Sequence, residues 1–329
     1  MSPVVRRTLQ VGLTGLVTFF ILRRIGVSWS DLQALEPSAW SIDLPLFVLS
    51  AVLMVCGYAV SGWLWARLVG ELGGPHLPIV AAMRIYMVAN LGRYVPGKVL
   101  QLVGLTVLAR RAGVPTSIAL SAAVLGHAVA LLGAGLVGVH ALLGAGAGSM
   151  MRLLGWVVLG ATLLLITLTS IPSSAAVLQR AWLRLARVPP PMERGAAGAP
   201  SVPTRLRGFG LRWSLAYGVN WLIYAAAFAL LARAMVGPVD PWITMSAFAA
   251  AYVSGYLALF APAGLGIREA ALVGFLAPVL LPDAALALAV VARLWSTLLE
   301  VVPAALLALT GGPAGAHEDL TSAPEAADV

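Results

Sequence analysis

Two short interruptions of apolar sequence carry the residues of this chain that are best suited to binding chemistry. Residues 93–98 read RYVPGK, and residues 259–269 read LFAPAGLGIRE. Proline removes a backbone donor and glycine permits a sharp turn, so a new helix can begin after each break with its first amide groups unpaired. Such amides, with the helix dipole behind them and cationic side chains beside them, would bind a phosphate or a carboxylate.

The candidate substrate-binding site therefore consists of the two breaks and the charged residues near them. Its members are Arg93, Pro96, Gly97, Lys98, Pro262, Gly264, Gly266, Arg268, Glu269 and Arg293. Four further polar residues lie in apolar sequence and could support the site: Asn90, His127, Tyr256 and Glu300. An unpaired arginine at the centre of a bilayer costs about 2.5–3.5 kcal/mol, so residues of this kind usually face a cavity or a partner.

Several of these residues also have a purely structural alternative. A Pro-Gly pair in a membrane helix often only kinks it, and Glu269 in a first helical turn can simply complement the helix dipole. Arg293 and Glu300 are seven residues apart and share a helix face, so Arg293 could pair with Glu300 or Glu269 rather than contact a ligand. His127 could shuttle protons, or it could only pack through a hydrogen bond.

The elements that must position these residues are membrane helices. Hydrophobic residues make up 60% of the chain and charged residues 10%, with a mean hydropathy of +0.93, whereas soluble domains carry about 25% charged residues. Crossing a bilayer takes about 20 apolar residues. Six runs reach or approach this length, at 8–22, 44–66, 118–143, 153–171, 211–231 and 284–309.

The charges between these runs predict how the chain is oriented. Residues 172–212 carry seven arginines against one acid and contain Pro- and Gly-rich stretches, so they read as a cytoplasmic linker. Residues 26–43 carry three acids and no base, which suits the outer side. We therefore expect a multi-pass protein of the cell membrane with both termini in the cytoplasm.

This orientation predicts an all-α polytopic membrane protein with an inverted-topology repeat and two broken, re-entrant helical hairpins. The predicted units are a first repeat at 1–172 with hairpin 77–112, a linker at 173–210, a second repeat at 211–312 with hairpin 242–282, and a disordered acidic tail at 313–329. The second repeat takes helix 153–171 as its first helix. Hairpins that span the membrane fully would place the other helices and both termini on the same sides. Such hairpins are an alternative, because residues 242–262 are long enough to cross.

The sequence also argues against several other functions. The single cysteine, Cys56, cannot form a disulfide within the chain, and no His/Cys cluster has the spacing of a metal site. The net charge of +8 comes from arginines in loops that flank the membrane, so we expect no nucleic-acid partner. No hydrolase, kinase or P-loop motif occurs, and we expect neither an enzyme nor a cofactor.

Residues 90–98 (NLGRYVPGK) and 261–273 (APAGLGIREAALV) resemble the two signature regions of the lysylphosphatidylglycerol synthase transmembrane family, also called flippase-like domain proteins. The resemblance extends over roughly residues 5–311. It implies movement of an anionic or aminoacylated phospholipid, or of a polyprenyl-phosphate-linked molecule, between leaflets. Larger members add a soluble aminoacyl-transfer domain, but only a short acidic tail follows Gly312, so we do not expect lipid synthesis.

The chain departs from the family pattern at two places. It has Gly126-His127 where many members carry Glu-Arg, and Gly97-Lys98 where Gly-Gly is commoner. Both differences bear on which lipid is carried.

Together these observations predict translocation of an anionic or polyprenyl-phosphate lipid, with its headgroup bound between the hairpins. Arg93, Lys98 and Arg268 would neutralise the phosphate. Two other functions fit the sequence: a membrane subunit of a lipid-dependent glycosyltransferase, and a non-transporting factor for envelope assembly.

Overall fold

The computed structural model describes residues 42–94, 99–144, 149–171, 208–258 and 262–309. These ranges form nine α-helices and two short 3₁₀ turns, with no β-strand among them. The helices are α1 Leu44–Glu71, α2 Ile79–Asn90, α3 Val99–Arg111, α4 Thr116–Leu143, α5 Ser149–Ser170, α6 Phe209–Val236, α7 Pro241–Leu257, α8 Ile267–Leu276 and α9 Pro282–Leu309. The predicted helix 8–22, most of the linker and the acidic tail lie outside the described residues.

Four of these helices are long and apolar enough to cross a membrane. They are α1, α4, α6 and α9, each of 28 residues. At 1.5 Å per residue each is about 42 Å long, which exceeds a hydrocarbon core of about 30 Å. The apolar segment of α5, Gly155–Ser170, is shorter. Large apolar side chains such as Trp156 and Leu298 remain exposed, as expected of a surface in contact with lipid. The predicted all-helical membrane protein is confirmed.

Local sequence explains where the helices begin and end. Asp43 caps α1 by accepting a hydrogen bond from the Leu46 amide at 3.1 Å, and Asp240 caps α7 by accepting from the Trp242 amide at 2.8 Å. A proline follows each cap within the first turn, where its missing N–H costs nothing. The Asp43 amide also donates to Ala234 O at 3.0 Å, which places the start of α1 beside the end of α6.

Glycines on α4 allow its backbone to approach two neighbouring helices closely. A Cβ added at Gly133 would lie 2.7 Å from the Gly218 nitrogen on α6. A Cβ added at Gly138 would lie 2.7 Å from the Ala250 nitrogen on α7. Small residues at helix interfaces are typical of membrane proteins, because packing rather than water exclusion holds their helices together.

The two predicted hairpins each contain a pair of short helices separated by a break. The first consists of α2, a 3₁₀ turn at Leu91–Tyr94, and α3; the second consists of α7, a 3₁₀ turn at Pro262–Gly264, and α8. The two 3₁₀ turns contact each other, and the first also contacts α9. Helices of 10 to 17 residues are about 15–26 Å long. The two 3₁₀ turns therefore lie side by side.

Candidate ligand-binding site

A polar cavity of about 60 Å³ lies beside the two breaks. Its wall is formed by side chains from α1, α2, α3, α4, α6, α7 and α8 and by Arg93 of the first 3₁₀ turn. Aromatic rings form much of this wall, among them Tyr58, Trp221 and Tyr252. A smaller cavity of about 20 Å³ shares Arg93 and Arg268 with the first.

Arg268, near the start of α8, contributes a positive charge to both cavities. The residue is buried, and its guanidinium lies 4.9 Å from the Phe248 ring centroid and 5.7 Å from that of Tyr252. No carboxylate of the described residues comes within 4 Å of it. Gly255 makes this position possible, because a Cβ there would lie 2.8 Å from the Arg268 Cβ.

Arg93 precedes the first break, in the 3₁₀ turn Leu91–Tyr94, and its charge is paired. It forms an ion pair with Glu300 of α9, which is fully buried. Asn90 donates to the other carboxylate oxygen of Glu300, and the Tyr94 hydroxyl donates to the oxygen that Arg93 contacts, at 2.7 Å. Gln101 of α3 in turn donates to the Asn90 side-chain oxygen. Each oxygen of the buried carboxylate is satisfied, which a buried charge requires.

Arg293 and Glu269 hold the second break from outside the cavities. Arg293 Nε lies 3.6 Å from Glu269 Oε1, and Arg293 Nη1 donates to the Ala263 carbonyl at 3.1 Å. Glu269 Oε2 accepts from the Gly266 amide at 2.7 Å, so this first-turn carboxylate caps α8. Both residues therefore make the purely structural contacts that the sequence offered as an alternative: Glu269 caps the helix, and Arg293 pairs with Glu269.

Glycines shape the turn between the second 3₁₀ turn and α8. Gly264 and Gly266 have φ of +72° and +79°, a region that residues with a Cβ rarely adopt. Gly264 also packs on Gly255 of α7, since a Cβ at Gly264 would lie 2.7 Å from the Gly255 Cα.

His127 and Tyr256 belong to the cavity wall. Their ring centroids are 6.4 Å apart, with an interplanar angle of 28°. The His127 Nδ1 is 2.7 Å from the Ala123 carbonyl oxygen, one helical turn earlier. A carbonyl can only accept, so Nδ1 carries a hydrogen in this contact.

The structure brings some of the predicted residues to the cavity and leaves others beside it. Arg93, Arg268, Asn90, His127 and Tyr256 line the cavity. Three other charged members, Arg293, Glu269 and Glu300, form ion pairs and do not line the cavity. The turn contains Pro262, Gly264 and Gly266, while Pro96, Gly97 and Lys98 lie outside the described residues. A ligand-binding role for each of them stays a prediction.

Sequence reasoning missed a second polar group, on the α1 and α6 side of the cavity. Asn220 Nδ2 donates to Ser61 Oγ at 2.6 Å, and Ser61 Oγ lies 2.8 Å from the Tyr224 hydroxyl oxygen. All three side chains line the cavity. A signal was present, because Tyr217, Asn220 and Tyr224 are spaced on one helix face, and an amide inside an apolar run usually faces a cavity or a partner.

The charge distribution of the cavity suits an anion. Two arginines line it, and neither cavity has a carboxylate among its described lining residues. In the described ranges, no group of three His, Cys, Asp or Glu residues could hold a metal ion. Cationic side chains and neutral hydrogen-bonding groups in an aromatic enclosure are the features of a binding site for a negatively charged polar molecule.

The fold and this site define a class of protein: a helical membrane protein with a buried, positively charged polar cavity beside two helix breaks. The model of one family, the lysylphosphatidylglycerol synthase TM region, matches residues 8–304. The chain belongs to this family, which confirms the resemblance of its two motifs. Membership indicates a membrane protein of lipid metabolism or transport. A comparison with curated proteins gives no match.

Proposed function

We propose that this protein moves an anionic lipid between the leaflets of the cell membrane, either a phospholipid or a polyprenyl-phosphate-linked lipid. The observation that carries the proposal is Arg268, a buried arginine that lines both cavities and has no carboxylate of the described residues within 4 Å. A buried charge without a counter-charge is costly. The phosphate of a headgroup would supply that counter-charge.

The proposed architecture is an inverted repeat whose two broken hairpins are re-entrant, with both termini in the cytoplasm. Three observations support it. The paired helices of each hairpin are short, a 3₁₀ turn interrupts each hairpin between its two helices, and the two 3₁₀ turns contact each other. In such an arrangement irregular backbone at membrane depth is tolerated because it lies in protein or lines a polar cavity.

Movement of the two halves would open this cavity to one leaflet at a time. A volume of about 60 Å³ holds on the order of four water molecules, so the wall must widen before a headgroup can enter. Arg268 would contact the phosphate first, because Arg93 is already engaged by Glu300. The lipid would be bound and released without chemical change, and the acyl chains would stay in the membrane.

The experiment is leaflet-to-leaflet movement of labelled phosphatidylglycerol in vesicles that contain the purified protein. We expect Arg268→Gln to slow this movement at least about tenfold, as loss of a charge-assisted contact would. Arg67→Gln is the matched control. Arg67 also lies against an aromatic ring, 5.1 Å from the Trp63 centroid, but it is exposed and does not line the cavity. Equal rates for the wild type and Arg268→Gln would overturn the proposal.

A further inference from the structure

The cavity has two chemically different ends. Arg93 and Arg268 form the cationic end, and Ser61, Asn220 and Tyr224 form a neutral polar end.

An aromatic wall joins the two ends. The Arg268 guanidinium is 5.7 Å from the Tyr252 ring centroid, Tyr252 is 4.5 Å from Trp221, and Trp221 is 5.4 Å from Tyr224. A ligand that fills the cavity would therefore touch positive charge at one end and hydrogen-bonding groups at the other.

One atom of the neutral end lacks a partner. Asn220 is 1% exposed, and its Oδ1 has no hydrogen-bond donor among the described residues. Its Nδ2, in contrast, donates a hydrogen bond to Ser61 Oγ. A buried acceptor left unpaired is costly, and most such groups in native proteins find a donor. Because Asn220 lines the cavity, a donor group that enters the cavity would supply the missing partner.

The charges of the cavity indicate which donor group this is. A hydroxyl can donate to Asn220 Oδ1 and accept from the hydroxyls of Ser61 or Tyr224. An ammonium group would share the enclosure with two arginines. Arg93 is already paired with Glu300, whereas Arg268 has no carboxylate of the described residues within 4 Å. In surroundings of low dielectric, repulsion by the Arg268 guanidinium disfavours the amine.

We infer that the cavity selects a phosphate ester whose headgroup carries hydroxyl groups and no amine, such as a glycerol or sugar phosphate. The phosphate would bind Arg268, the carbon skeleton would pack on Trp221 and Tyr252, and a hydroxyl would donate to Asn220 Oδ1. This inference rests on the proposed function, since it names the headgroup that the lipid carries. Aromatic faces also attract cations, so the test includes an amine.

The first test compares three lipids in vesicles that contain the full chain. Phosphatidylglycerol has hydroxyls, phosphatidic acid has a phosphate alone, and phosphatidylethanolamine has an amine. The wild type should move phosphatidylglycerol at least about tenfold faster than phosphatidylethanolamine. Asn220→Ala should lower the ratio of phosphatidylglycerol to phosphatidic acid by about 3- to 10-fold, as loss of one neutral hydrogen bond would. Equal movement of the glycerol and amine lipids overturns the inference, and so does an unchanged ratio.

The chain offers a matched control on the same helix. Ser214 of α6 is fully buried, and its Oγ has no partner in the described structure, but it lines neither cavity. Ser214→Ala should leave the lipid ratios unchanged, and a change equal to that of Asn220→Ala would contradict the inference.

If Asn220→Ala does not fold, Asn220→Asp replaces it in the lipid comparison. It nearly preserves the side-chain shape but adds an acid, so it should raise the movement of phosphatidylethanolamine relative to phosphatidylglycerol; an unchanged ratio contradicts the inference.

A second test separates this inference from lipid transport itself. Soluble sn-glycerol 3-phosphate should raise the Tm of the purified protein more than inorganic phosphate or phosphoethanolamine does, and Asn220→Ala should remove the difference. If no lipid moves but this order of Tm shifts holds, the proposed transport fails, and the selectivity belongs to a site for a free ester. Equal shifts, or no shift, overturn the selectivity even where lipids move.

Discussion

The two helix breaks look alike in sequence but differ in how their arginines are used. At the first break, Arg93 is bound by the buried carboxylate of Glu300, which Asn90 and Tyr94 also contact. At the second, Arg268 lies against two aromatic rings and has no carboxylate partner in the described ranges. Helix α9 contacts both breaks, but it binds the arginine of the first break through Glu300, whereas Arg268 at the second break presents its charge to the cavity.

Charged side chains satisfy backbone groups at the second break. Glu269 accepts from the Gly266 amide and approaches Arg293, and Arg293 holds the Ala263 carbonyl. The start of α8 therefore already has an anionic partner in its own first turn. Recognition of an external anion at this break depends on the Arg268 side chain more than on free amide groups.

The largest effect is expected from removal of the Glu300 carboxylate, which binds Arg93 at the first break. Glu300→Ala leaves Arg93 buried without its partner, and removing one member of a buried ion pair costs about 3–5 kcal/mol. We expect the free energy of unfolding in mixed micelles to fall by that amount. Adding Arg93→Ala in the double mutant should restore part of the loss. A loss below about 1 kcal/mol would show that the pair does not fasten the break.

A milder change removes one hydrogen bond of the same network. Tyr94→Phe deletes the hydroxyl that donates to Glu300 at 2.7 Å, and a hydrogen bond to a charged group contributes about 1.5–3 kcal/mol. The same unfolding measurement should show a loss in this range. Tyr217→Phe, whose hydroxyl makes no hydrogen bond to the described ion pairs, serves as the control and should lose less.

Gly255→Ala tests whether the position of Arg268 at the second break matters for lipid movement. The new Cβ would lie 2.8 Å from the Arg268 Cβ, and overpacking of this kind costs about 1–3 kcal/mol. Because it displaces Arg268, it should slow lipid movement more than its effect on stability explains. Gly274→Ala on α8 is the control, since nothing lies within 4 Å of a Cβ there. Normal lipid movement by Gly255→Ala would show that the position of Arg268 does not matter.

The smallest effect is expected at an exposed ion pair. Arg212 contacts Glu71, but its side chain is 59% exposed. Exposed pairs contribute about 0–1 kcal/mol, so Arg212→Ala should change the free energy of unfolding by less than 1 kcal/mol. A loss as large as that of Glu300→Ala would show that the buried and the exposed ion pair contribute equally to stability, which would contradict the account.

Sequence predicted the parts of the structure that depend on local pattern. Apolar run length located α1, α4, α6 and α9, and the proline and glycine residues located both breaks, because each signal is read within about 20 residues. The cost of a buried charge also raised the pairing of Arg293 with Glu269 or Glu300 as an alternative. The structure shows the contact with Glu269, whereas Glu300 pairs with Arg93.

The contacts that define the cavity are not local, and sequence alone did not reveal them. Arg93 and Glu300 are 207 residues apart, and their pairing depends on how α9 packs against the first hairpin. Asn220 and Ser61 are 159 residues apart, and only the packing of α1 on α6 makes them one end of the cavity. Lys98 lies outside the described residues, so its contact with phosphate stays a prediction.

Photo-crosslinking tests the central claim most directly, which is that Arg268 holds an anionic headgroup inside the cavity. A phosphatidylglycerol analogue with a photoreactive headgroup is added to the protein in vesicles, and the adducts are mapped by mass spectrometry. We predict adducts on cavity residues such as Tyr252 and Trp221 in the wild type and in Arg67→Gln, and their loss in Arg268→Gln. Adducts that persist in Arg268→Gln, or that occur only on lipid-facing residues, would contradict the account.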